Sequence, residues 1–177
     1  MRFRELYEEH FAFVWRSLRR LGVPESSLKD GVQDVFLVVH RRLAEFEGRA
    51  KISTWLFRIC IRVARDQRRR AHLRREVLDD SGVLSYADPQ ADTAGASERN
   101  DDLVLFEQAL QRLPLEQRTV FILFELEAMT GEEIAEALAI PLGTVYSRLR
   151  LARVTFRRAV LRAPGERQER ARQGKLP

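Results

Sequence analysis

A single cysteine, Cys60, stands among 177 residues, which excludes a disulfide within the chain. It lies in an apolar stretch, the setting of a buried structural thiol rather than a reactive one. The three histidines, His10, His40 and His72, are far apart and have no paired cysteines, so the spacing of a zinc site is missing. The apolar run at residues 11–15 is cut off by Arg16 and Arg19, and no uncharged run approaches the length of a membrane span. A signal-peptide pattern is absent too, so a soluble, cytoplasmic protein without membrane insertion is expected. There is no nucleophile–base set and no glycine-rich phosphate loop. The chain therefore reads as a non-enzyme with no metal and no cofactor. Strand signals are almost absent, which leaves an all-α fold class.

Charge is what the chain has in quantity. Overall it carries +5, with an isoelectric point near 10. The segregation is sharper than the total: residues 1–75 carry a net +9, residues 76–100 −5, residues 101–140 −7, residues 141–163 +6 and residues 164–177 +2. Two basic places separated by acidic chain imply two modules that each meet a polyanion, rather than one general basic coat.

Periodicity divides the chain accordingly. Phe3, Leu6, Tyr7, Phe11, Val14 and Leu18 recur at helical spacing and predict a helix over 3–20. Gly22, Val23 and Pro24 break it. Ser26 or Ser27 is placed to cap a second helix, 28–46, with Val32, Val35, Phe36, Val39 and Leu43 on its inner stripe. After a polar loop at 47–51, Ser53 or Thr54 is placed to cap a third helix reaching Arg75, with Trp55, Leu56, Ile59 and Val63 facing inward. Residues 76–100 lack periodicity and are rich in aspartate and small residues, the composition of a flexible linker. A second module is expected over 101–163, where Leu103, Phe106, Leu110 and Leu113 begin a helix that Pro114 ends. A helix over 115–129 follows. Residues 164–177 form a polar tail expected to be disordered.

Residues 130–158 have the build of a helix-turn-helix. Thr130 and Glu133 make a capping-box pattern ahead of a short helix with Ile134, Ala135 and Leu138 inward. Pro141 suits the first turn of the next helix. On that helix Val145, Leu149, Ala152 and Phe156 form an apolar stripe. Tyr146, Ser147, Arg150 and Arg153 are left on other faces, with Thr144 and Arg148 beside them, near the end such motifs turn toward base edges. Six arginines and no acid between Pro141 and Ala163 favour DNA over a merely solvated face.

In the first module, residues 58–75 hold eight arginines and one aspartate, Asp66. Arg58, Arg62, Arg65 and Arg69 lie along one helix side, suited to phosphates. Ahead of them Phe46, Trp55 and Phe57 flank the loop of Gly48, Arg49 and Lys51. Aromatics interleaved with cations hold unstacked bases, although Trp55 and Phe57 at helical positions also suit a core. The loop is the better place for a flipped nucleotide, because Gly48 lets the backbone approach closely.

Taken in order, several fragments resemble the extracytoplasmic-function sigma factors of bacterial RNA polymerase. In the first module they are residues 3–20, then Gln33, Asp34, Val35 and Phe36, then Phe46, Glu47, Gly48 and Arg49. Ser53, Thr54, Trp55 and Leu56 follow, with Arg58 and Ile59. In the second module they are Leu113, Pro114, Leu115, Glu116, Gln117 and Arg118 with Val120 and Phe121; then Glu132, Glu133, Ile134 and Ala135; and finally residues 140–149. The resemblance implies a sigma domain 2-like bundle and a sigma domain 4-like helix-turn-helix on a flexible tether. Core RNA polymerase and promoter DNA are the implied partners, along with an anti-sigma factor. It further implies that Gln33, Asp34 and Phe36 lie in the polymerase-contacting region. Gly48, Arg49 and Lys51 would hold an extruded base, and Arg58, Arg62 and Asp66 would lie in the −10 reading helix. The helix from Pro141 to Arg153 would read the −35 element. Three positions depart from the family pattern: Arg62, where asparagine is common, Leu151 in place of a basic residue, and Gly131 in place of an aromatic or polar one. The competing readings are a helix-turn-helix regulator with a sensing or dimerising first module, and an interaction protein of the anti-sigma kind.

Overall fold

The computed structural model describes the backbone of residues 2–48, 51–79 and 98–173, and the side chains of residues 2–48, 51–70 and 102–162. The chain divides into two units, Met1–Asp92 and Thr93–Pro177. Every regular element among the described residues is helical. The linker expected over 76–100 is helical at both ends, and its middle, residues 80–97, lies outside the described residues.

In the first unit α1 (Phe3–Arg20), α2 (Glu25–Arg42) and α3 (Ile52–Asp79) pack each against the other two, and a 3-10 turn, Leu43–Glu45, follows α2. The core is Leu6, Val14 and Leu18 from α1, Leu28, Val35, Phe36 and Val39 from α2, and Leu56, Phe57, Cys60 and Ala64 from α3. Gly31 sits where the three helices come closest. A Cβ there would lie 3.3 Å from Leu18 Cδ1 and within 4 Å of Val23 and Val63, so the site trades helix propensity for close approach.

Two helices start ahead of the residues expected to cap them. Pro24, not Ser26 or Ser27, precedes the first helical residue of α2 (φ −57°, ψ 147°), and its carbonyl accepts the Ser27 N–H at 2.9 Å. Proline already has helical φ, and the N–H it lacks would have no partner at a helix start. Likewise α3 begins at Ile52, where Lys51 O accepts the Trp55 N–H at 3.2 Å, so Ser53 and Thr54 lie inside the first turn.

Burial leaves Cys60 no solvent and pushes its thiol far above the ordinary range, because a thiolate there would be desolvated. The sign follows. The folded unit favours the thiol, so this contribution is complete below the unfolded pKa of about 8.5 and is lost as pH rises beyond it. Cys60 should resist a thiol reagent in native protein and react on unfolding. Stoichiometric labelling without denaturant would contradict the placement.

The second unit comprises α4 (Glu98–Gln111), α5 (Leu115–Phe121), α6 (Gly131–Leu138) and α7 (Leu142–Gln173). Its core joins Leu110, Leu113, Val120, Ile122, Leu123, Ile134, Val145, Leu149 and Ala152, with Phe156 stacked on Phe121 at 4.9 Å. Leu103, expected on the inner stripe of α4, is 62% exposed. The buried face runs through Ala109, Leu110 and Leu113 and leaves it nearly two turns before that face begins. The helix expected over 115–129 widens into a π turn at Ile122–Leu126 and stops there, with Ala128 at φ 51°. At the other end α7 runs to Gln173, past the boundary expected at 163 and through the tail expected to be disordered. Helix formers at 166–172 carry the backbone on beyond Pro164 and Gly165.

Arg118 of α5 is buried to 2% exposure. Its guanidinium donates to Gln111 Oε1 at 2.9 Å, to Gln111 O at 2.8 Å and to Leu113 O at 2.9 Å. These bonds satisfy carbonyls that the end of α4 leaves without helical partners, and they set the turn into α5.

Candidate nucleic-acid interface

The helix-turn-helix forms as its residues require. Thr130 Oγ1 accepts the Glu133 N–H at 3.2 Å, and Glu133 Oε2 accepts the Thr130 N–H at 2.8 Å, which completes the capping box. Ala139 turns left-handed (φ 52°, ψ 49°) to end α6, at a cost of about 1 kcal/mol for a non-glycine residue. The Ile140 N–H then donates to Ala135 O at 3.1 Å, and Pro141 opens α7 by accepting from Thr144 at 2.9 Å. Ile134 and Ala137 lock onto Val145, Leu149 and Ala152; Ala135 and Leu138 are half-buried at the edge.

That packing decides which side chains face outward. Tyr146, Ser147 and Arg150 are exposed together, whereas Thr144 and Arg148 are half-buried. Ser147 Oγ donates to Thr144 O at 3.0 Å, so its lone pairs remain for a donor. Arg153 is exposed beside them and is also tied to a second element. Its guanidinium lies 2.7 Å from Glu125 Oε1, with Cζ 5.3 Å from the centre of the Phe124 ring, so it braces α7 against the π turn. A shallow depression of about 350 Å³ runs along α7 between Tyr146, Arg150, Val154, Arg157 and Arg158. Arg157 and Arg158 do not stand out in the sequence, yet their seven- and eight-residue spacing from Arg150 continues the same face.

In the first unit Arg58, Arg62, Arg65 and Arg69 are all exposed along α3. Asp66 lies 3.8 Å from Arg69, which offsets part of that charge. Phe57 is core, whereas Trp55 is half-buried with its ring 5.2 Å from Phe46, at the mouth of the loop. Gly48 is exposed at φ +71°, and a Cβ added to it would meet nothing within 4 Å, so conformation rather than crowding calls for glycine there. Lys51 is exposed, and Arg49 lies outside the described residues.

A third surface lies on the opposite elements. Phe3, Tyr7, Phe11 and Trp15 form a ladder along α1, with successive ring centroids 6.4, 5.6 and 6.0 Å apart. With Phe36, Leu37 and His40 of α2 they line a groove of about 710 Å³ rimmed by Lys29 and Gln33. Of the three α2 residues expected to contact polymerase, Gln33 is exposed at this rim. Phe36 is buried as its floor, its ring 4.5 Å from Tyr7. Asp34 turns toward α3 instead: Gln67 Nε2 donates to it at 3.3 Å, and Arg70 lies 3.8 Å away. The ladder is not separable in the sequence, where Tyr7 and Phe11 read as part of the core stripe. No helix among the described residues is long and apolar enough to cross a membrane.

Comparison with known proteins places both units. Residues 6–74 match the family model for sigma-70 region 2, and residues 103–156 match that for sigma-70 region 4. The chain is 30% identical over 157 residues to the ECF RNA polymerase sigma factor SigM of Mycobacterium tuberculosis, covering 88% of this chain and 76% of that one. It is 31% identical over 139 residues to the ECF RNA polymerase sigma-E factor of Escherichia coli K12, covering 74% and 72%. Among solved structures it is similar to the sigma factor RpoE in complex with the anti-sigma factor NepR from Bartonella quintana. That match has a TM-score of 0.63 and 26% identity, covering 87% of this chain and 96% of that one. CnrH in complex with the cytosolic domain of CnrY is similar at a TM-score of 0.61 and 25% identity, covering 91% and 88%.

Proposed function

The chain belongs to the extracytoplasmic-function sigma factors, and from that premise we propose a division of labour among its three surfaces. As a sigma factor it binds core RNA polymerase and directs initiation at its own promoters. The observation that carries the assignment is the order of matches: region 2 on the first unit and region 4 on the second, each with an exposed arginine-lined helix. The polymerase supplies the bond-making chemistry. This chain supplies binding energy, and bases captured near Gly48 and Lys51 offset the stacking lost on melting, worth about 1–3 kcal/mol per base.

In this reading Arg58, Arg62 and Arg65 follow the −10 region, with Arg49, Lys51 and Trp55 at the extruded base. Tyr146, Ser147 and Arg150 read the −35 element from the major groove, Thr144 and Arg148 support them, and Arg157 and Arg158 extend the basic face. Gln33 and the aromatic groove over Phe36 face the polymerase, and Asp34 holds α2 to α3 beneath. An anti-sigma factor covering these surfaces is the matching restraint. The test is run-off transcription with purified core enzyme. Promoter-specific transcripts should appear only when the chain is added, and a promoter-blind mixture would refute the assignment. Ser147→Ala and Arg150→Ala should each weaken use of the upstream element by about 1–3 kcal/mol. An equal loss on every upstream sequence would mark them as phosphate contacts.

A further inference from the structure

We propose that Gly131 sets the base preference of α7 by leaving a seat for Tyr146, an inference that rests on the reading that α7 meets the upstream promoter element. Nothing in the backbone asks for glycine at this position. Positive-φ glycines among the described residues are Gly22 and Gly48, and Thr130 already caps α6 through its own side chain. Glycine is also a poor residue for a helix. What calls for it is space. A Cβ on Gly131 would stand 2.7 Å from Tyr146 Oη, 2.8 Å from Tyr146 Cζ and 3.1 Å from Leu142 Cδ1. Gly143, in the first turn of α7, has nothing within 4 Å of the same position, so the crowding at Gly131 is not shared by the other glycine of the motif.

The tyrosine thus reaches back from α7 and rests its hydroxyl end on the start of α6, while 48% of the residue stays exposed. That contact favours the rotamer that lays the ring back along α6. The free part of the ring is held beside Ser147 and one turn from Arg150, on the face that would enter the groove. A reader held in place before binding loses less freedom on contact and accepts fewer alternative bases. A methyl group at 131 and the present tyrosine position exclude each other. Because the clashing atoms are the far end of a side chain, the tyrosine swings out and the fold survives. Gly131 is therefore a positioning residue that acts through Tyr146.

The experiment is transcription by core polymerase and the full chain from a promoter library randomised over the upstream element, read by sequencing. Tyr146→Ala should change preference at one or two adjacent positions by at least about fivefold. Gly131→Ala should change the same positions with its melting temperature close to wild type. On a Tyr146→Ala background, Gly131→Ala should add nothing, and this pair carries no clash with the ring. In protein labelled with 3-fluorotyrosine, the Tyr146 resonance should shift in Gly131→Ala. A Gly131→Ala profile identical to wild type, or an effect that persists without Tyr146, overturns the seat alone. Wild-type protein with no upstream preference overturns the reading beneath it as well.

Discussion

Arg118→Ala is expected to destabilise the second unit by about 2–4 kcal/mol, because it empties a buried site and strands the buried Leu113 carbonyl at the α4–α5 turn. The guanidinium reaches Gln111 O and Leu113 O together at 2.8 and 2.9 Å, from a residue that is 2% exposed. Alanine removes both donors and leaves a cavity. Methionine refills the volume without the donors, so Arg118→Met separates packing from hydrogen bonding and should recover only part of the loss. The two tryptophans, Trp15 and Trp55, both lie in the first unit. Tryptophan fluorescence should therefore keep its wild-type midpoint in urea while far-UV circular dichroism gains an earlier transition. Coincident, unshifted transitions by both probes would show that the turn does not depend on this cation. Promoter-directed transcription should fail at the upstream element first, since α5 packs against α7.

The other large effect is electrostatic. Replacing Arg58, Arg62 and Arg65 together with alanine should lower the slope of log affinity against log salt by about 2–3, at roughly 0.7–0.9 for each phosphate left without its arginine. Between 50 and 200 mM salt that removes about 40-fold of the wild-type change in affinity for duplex DNA. Arg69→Ala alone should move the slope less, because Asp66 already stands 3.8 Å from that guanidinium. Binding of the polymerase holoenzyme to promoter fragments across a salt series measures both. An unchanged slope in the triple variant would remove α3 from the DNA-facing surface. A loss confined to particular −10 sequences would mean base reading in place of backbone contact.

The capping box of Thr130 and Glu133 and the stripe of Val145, Leu149 and Ala152 are directly legible, because both depend on residues three or four apart in one helix. Core membership is legible wherever a position is apolar and central, as at Val35, Val39 and Leu56. It fails where two apolar stripes lie side by side. Leu6, Val14 and Leu18 face the core, while Tyr7 and Phe11 face the groove. Spacing alone cannot part the two stripes, since what matters is which one α2 and α3 cover. Gly31 is a costly residue for a helix, and only the closeness of Leu18, Val23 and Val63 accounts for it.

Local pattern on its own therefore settled the helical class, the two basic helices and the helix-turn-helix, because each follows from short-range backbone geometry and net charge. Tertiary packing decided how single arginines are used. Arg118 is buried as a staple, Arg153 is tied to Glu125 twenty-eight residues away, and Arg150 is left exposed on α7. A guanidinium has the same charge in all three places. Which acceptors reach it, and how much water remains around it, depends on how successive helices turn and pack: across one short turn for Arg118, and between α7 and the π turn for Arg153.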